Sequence, residues 1–105
     1  MAEWIKKEQY DTKLLADEKA LNSLGSEIQL VRFKAGKYEH YHKKKTEFFY
    51  VLKGNGRVVL GDEVKMVGVG DVILIKSGVR HTFINEDGLE LIMLKTNNSK
   101  DDTFS

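Results

Sequence analysis

The chain carries three histidines, and two of them fall together in His40-Tyr41-His42. Residues two apart on a β-strand face the same side, so this pair can present both imidazoles to one point at the separation of metal ligands. Glu47 lies shortly after and opens the run Glu47 to Lys53, EFFYVLK. Strand parity sets Glu47 on one face with Phe49 and Val51, opposite Phe48, Tyr50 and Leu52, so a carboxylate can join the imidazoles. The chemistry is that of a transition-metal site. The same H-x-H pair stands beside Lys43, Lys44 and Lys45, and by itself it also reads as a solvated hairpin. His81, alone, reads equally well as a satisfied surface residue.

The elements that must position these residues are short and evenly spaced. No Pro occurs, so the nine Gly mark most of the turns. EIQLVRF, between Ser26 and Ala35, is apolar and β-branched without helical spacing, and EFFYVLK is apolar on both faces. Arg57 to Leu60 and Glu63 to Val67 flank Gly61-Asp62, a pair with hairpin turn chemistry. Val72 to Lys76, Val79 to Asn85 and Leu89 to Lys95 follow in the same rhythm. Seven or more strands, some apolar on both faces, predict an all-β barrel or sandwich. One helical turn is expected near 16–23, where Asp17 can cap.

Length and composition narrow the classes of function. With 105 residues, 41% hydrophobic and 31% charged, the chain is one compact domain, with its core over about 12–96 and a polar tail over 97–105. A formal charge of +1 supplies no general attraction for a polyanion, so nucleic acid is not an expected partner. The absence of Cys excludes disulfides and thiolate ligands, and a cytoplasmic location is expected. The N-terminal stretch is too charged for a membrane span, and no membrane partner is expected.

Two segments carry a family resemblance. GKYEHYHKKKTEFFYVLKG, Gly36 to Gly54, resembles the first motif of the cupin superfamily at His40, His42, Glu47 and Gly54. GDVILIKSGVRHTFIN, Gly70 to Asn85, resembles the second at Gly70, Gly78, His81 and Asn85. Two departures stand out: Gly36 lies closer to His40 than the family pattern has it, and Lys76 stands at the usual Pro. The resemblance implies a double-stranded β-helix, the jelly-roll barrel of small single-domain cupins. It also implies a metal held by His40, His42, His81 and Glu47, with Glu47 a candidate base.

Such a donor set suits one divalent transition metal per chain, Fe, Mn, Ni, Cu, Co or Zn, and suits Ca or Mg poorly. An octahedral ion would keep two positions for a small-molecule substrate or dioxygen, and a tetrahedral one none. Parity predicts a pocket lined by Tyr38, Phe49, Val51 and Phe83, with Met93 from the last strand, and largely apolar. Three function classes follow: a dioxygenase-like enzyme on a small organic substrate, a sugar or sugar-phosphate isomerase or epimerase, and a non-catalytic small-molecule-binding module. The second requires a cation in the site, for which Arg32, Arg57, Lys76 and Arg80 are candidates. The outward face of Phe48, Tyr50 and Leu52 calls for cover, with Trp4 and Ile5 as an edge strand, and a homodimer is expected.

Overall fold

The computed structural model describes residues 3–42, 45–97 and 103–104, without the side chains of residues 40–42 and 103–104. Among the described residues the strands are β1 (Trp4–Lys6), β2 (Tyr10–Ala16), β3 (Glu27–Phe33), β4 (Gly36–His42), β5 (Thr46–Gly54), β6 (Gly56–Leu60), β7 (Glu63–Val67), β8 (Val72–Ile75), β9 (His81–Asn85), β10 (Leu89–Thr96) and β11 (Thr103–Phe104). They form two antiparallel sheets, ordered β1-β2-β3-β10-β5-β8 and β11-β4-β9-β6-β7. The sheets face one another as a jelly-roll barrel.

The expected helical turn is α1 (Glu18–Leu21), whose N-cap Asp17 accepts a hydrogen bond from the Ala20 backbone N–H at 2.8 Å. The Gly61-Asp62 hairpin joins β6 to β7 in the register Leu60 to Glu63. One difference from the sequence reading lies at the C-terminus. Within the segment expected to be a polar tail, β11 pairs with β4, Thr103 opposite His42 and Phe104 opposite Tyr41.

Alternation along β5 buries Glu47, Phe49 and Val51 and leaves Phe48, Tyr50 and Leu52 exposed, as parity requires. The interior grades from apolar to polar along the first sheet. Phe33 pairs with Leu89, and Val31 with Leu91, which pairs in turn with Val51. Farther along, Gln29 meets Met93, which meets Phe49, and the last inward row is Glu27, Lys95 and Glu47. The apolar rows hold the barrel together, because Val51 and Leu91 are fully buried and each such side chain contributes roughly 1.5–3 kcal/mol. The polar rows mark the end where chemistry can occur.

Gly54 and Asn85 serve the other end. Gly54 has φ +89°, and a Cβ there would stand 2.5 Å from the Gly88 carbonyl oxygen, so only glycine fits. Asn85 is buried, donates from Nδ2 to the Lys34 carbonyl at 3.1 Å, and accepts the Gly88 N–H at 2.6 Å. These two motif residues therefore fasten loops.

Candidate metal centre

His81 opens β9 on the second sheet and Glu47 lies near the start of β5 on the first. Their side chains converge across the barrel, with Nε2 of His81 3.6 Å from Oε1 of Glu47 and both nearly inaccessible, at 2% and 7%. His81 Nδ1 lies 3.3 Å from the Val79 carbonyl. A carbonyl only accepts, so Nδ1 is the donor in this contact, and the ring is turned with Nε2 toward Glu47. That orientation is the one a metal-binding imidazole needs.

β4 pairs with β9 so that position 40 lies directly opposite His81, and directly paired residues share a sheet face. Position 42 shares that parity along β4. The side chains of His40 and His42 lie outside the described part of the structure. Among the described residues no group of three or more His, Cys, Asp or Glu comes together. The described half of the donor set fits a transition metal. Two donors each about 2.1 Å from one ion stand roughly 3–3.6 Å apart, which the His81–Glu47 separation matches.

The pair borders a cavity of about 240 Å³. Tyr38, Phe49, Phe83 and Met93 line it, whereas Val51 is fully buried in the core and does not. An aromatic wall runs along the cavity: Phe33 stacks on Phe83 at 4.7 Å, Phe83 meets Phe49 edge-on at 5.0 Å, and Tyr38 meets Tyr10 edge-on at 4.8 Å. Burial, then the hydrogen bond with Tyr10 and the charge of Glu47, push the Tyr38 phenol far above its ordinary value. Tyr38 is therefore a neutral O–H group in the lining it shares with His81 and Glu47.

The lining is more polar than the sequence suggested. Thr12, Gln29, Lys45 and Lys95 also border the cavity, with Lys7 and Tyr10 toward the β1–β2 side. The four cations considered from sequence lie elsewhere. Arg32 stacks on Trp4 at 3.6 Å on the outer sheet face, and Arg57, Lys76 and Arg80 are exposed. Parity offered the missing signal: Lys45 precedes Glu47 by two residues, and Lys95 follows Met93 by two.

Residues 29–95 match the protein family described as "Cupin domain" (Cupin_2). Ectoine synthase from P. lautus is similar in structure, with a TM-score of 0.81 at 14% identity, over 96% of this chain and 78% of that one. KdgF from Halomonas sp. aligns with a TM-score of 0.78 at 21% identity, over 94% and 89% of the two chains. Oxalate decarboxylase from Bacillus subtilis aligns with a TM-score of 0.80 at 24% identity over 99% of this chain, which spans 30% of that protein. Likeness at these identities is likeness of fold. No match is found among curated protein sequences. No helix among the described residues is long and apolar enough to cross a membrane.

Proposed function

The chain belongs to the cupin domain family, and from that premise we propose that His40, His42, Glu47 and His81 hold one divalent transition metal, Fe, Mn, Ni, Cu, Co or Zn, in a site for a small organic molecule. One observation carries this reading: His81, oriented by the contact of Nδ1 with the Val79 carbonyl, aims Nε2 at a buried carboxylate 3.6 Å away. Once bound, the ion supplies Lewis-acid or redox chemistry to the ligand. The chain's own residues do the rest. Tyr38 keeps its proton in its hydrogen bond with Tyr10, and the aromatic wall of Phe33, Phe49 and Phe83 excludes water from one side. Glu47 offsets part of the cation's charge and is the candidate base.

Within this reading the activity is dioxygenase-like, on a small organic substrate. An isomerase acting on a sugar or sugar phosphate is the second reading, favoured by Lys45 and Lys95 in the cavity lining. The outer face of the first sheet is proposed to pair with a second copy of the chain as a homodimer.

Elemental analysis of untagged protein, with oxygen uptake measured after the identified ion is restored, tests the function. Iron, manganese or copper near one per chain with substrate-dependent uptake supports the oxygenase. Zinc without uptake moves the assignment to the isomerase. Unchanged metal content in His42→Ala and Glu47→Gln refutes the donor set.

A further inference from the structure

We propose that β1 is a hinged wall of the cavity: Trp4–Lys6 swings away from β2 to admit a ligand, and a latch on the outer face of the sheet holds it shut. The inference needs the cavity alone and stands apart from the metal proposed to lie there. Ile5 borders the cavity, and it lies directly opposite Thr12, which lines the same space. β1 is three residues long, sits at the edge of its sheet, and among the described residues pairs with β2 alone. None of its residues is buried, and Ile5 is 57% exposed. A strand with one neighbour and no buried apolar side chain opens for a small part of the free energy that unfolds the barrel.

The latch is polar and lies outside the cavity. Register sets Lys6, Asp11 and Arg32 in one row across β1, β2 and β3. The Asp11 carboxylate accepts from Lys6 Nζ at 3.3 Å and from Arg32 at 3.5 Å. Arg32 in turn stacks on Trp4, its guanidinium 3.6 Å from the ring centroid. Both ends of β1 are thus tied to one carboxylate and one guanidinium, with no packed core beneath them. Contacts of this kind at a wet surface are individually weak, so cutting one of them shifts the balance between shut and open.

The turn after β1 is fastened separately and serves as the pivot. Lys34 donates from its backbone N–H to the Gln9 carbonyl at 2.9 Å and from Nζ to the Lys7 carbonyl at 2.7 Å. Gln9 Nε2 donates to the Lys37 carbonyl at 3.3 Å, and Lys37 lies on β4 of the other sheet. The turn therefore stays tied across the barrel while Trp4–Lys6 moves. β1 is also at the opposite edge of its sheet from β8, away from the exposed Val72 and Leu74.

Hydrogen exchange and thiol labelling of the full chain, metal-free after chelation, test the wall. The Lys7 N–H donates to the Tyr10 carbonyl at 3.1 Å, so antiparallel alternation makes Ile5–Thr12 the next hydrogen-bonded pair and Lys6–Asp11 a non-hydrogen-bonded one. The amides of Ile5 and Thr12 should exchange about tenfold or more faster than that of Val31 in the core. Exchange is read on the unaltered chain, so it decides the matter even where a cysteine variant fails to fold. The chain has no Cys, and Met93→Cys puts one thiol in the cavity lining, where its reaction with the bulky reagent fluorescein maleimide is followed by mass spectrometry. Asp11→Asn and Arg32→Met should each speed that labelling several-fold. Lys6→Cys/Asp11→Cys, at a pair whose Cα atoms stand about 4.5 Å apart, can close a disulfide on the outer face, and this lock should slow labelling at position 93 about tenfold or more. Val51→Ala weakens the barrel without touching the latch and should leave the rate unchanged. Exchange at Ile5 and Thr12 as slow as at Val31, labelling indifferent to the lock, equal acceleration by Val51→Ala and Asp11→Asn, or a disulfide that joins two chains overturns the proposal.

Discussion

His81 Nε2 and Glu47 Oε1 meet at 3.6 Å although they come from opposite sheets of the barrel. Their separation in the chain is bridged only by the closure of β5 against β9. Any ligand held by both therefore ties the two sheets together. It binds the folded chain and has no preformed site in the unfolded one.

Metal removal should consequently lower thermal stability. An ion present at a hundred times its dissociation constant stabilises by about 2.7 kcal/mol. For a domain near this size that corresponds to a midpoint shift of roughly 10–20 °C. Circular-dichroism melts with and without chelator measure it. Glu47→Gln should abolish the difference, and a chelator-insensitive midpoint in the wild-type protein contradicts the metal centre.

Val51→Ala separates the core from the site. Val51 shares parity with Glu47 but lies two pairs deeper, fully buried and away from the cavity. Its truncation should cost about 2 kcal/mol of stability in urea titrations while leaving metal per chain unchanged. Loss of metal from the folded variant would place Val51 in the site after all.

The strands of β3, β5, β9 and β10 were legible because each combines β-branched or aromatic residues with a bounding turn. The inward set Glu47, Phe49 and Val51 followed from alternation alone. Alternation does not report depth, which is why it could not separate Val51 from Phe49. The cavity's lysines were obscured for a different reason. Charged residues on strands are ordinarily solvated, so Lys45 and Lys95 read as surface until pairing with Glu27 and packing beside Glu47 are visible. β11 is two residues long in a polar segment, too short for any pattern to announce it.

Asp11 should make stability depend on pH in acid. Burial raises its carboxyl, but the Lys6 ammonium at 3.3 Å, with Lys34 at 3.8 Å and the Lys7 backbone, outweighs that and holds it below the ordinary 3.8. Between the depressed folded value and the ordinary unfolded one, the unfolded chain binds more protons, so stability rises with pH there. The contribution is complete above about pH 3.8 and is lost as pH falls through the folded value. Asp11→Asn should be less stable than wild type at pH 7, with the gap closing below pH 3.8. Urea midpoints across that range check this, and a gap independent of pH refutes it.

The outer face of the first sheet leads to the last prediction. Register aligns Trp4, Lys13, Leu30, Ile92, Tyr50 and Val72 in one row across all six strands. The adjacent row runs Ile28, Leu94, Phe48 and Leu74. Phe48, Tyr50, Val72 and Leu74 are 37%, 40%, 54% and 51% exposed, so nothing within the described chain covers them. Six strands spaced about 4.8 Å apart make this face roughly 24 Å wide, enough to form the core of a standard interface. An apolar sheet face suits a second copy of itself, because a two-fold axis brings each row against its own image. Sedimentation equilibrium at micromolar concentration should therefore give a dimer. Tyr50→Glu would place two like charges near that axis in a desolvated contact and should shift the protein to monomer, at least a hundredfold weaker in association. Lys65→Glu, on β7 of the other sheet, should leave the dimer intact. A wild-type monomer, or a Tyr50→Glu dimer of undiminished affinity, would show that this face is not where two chains meet.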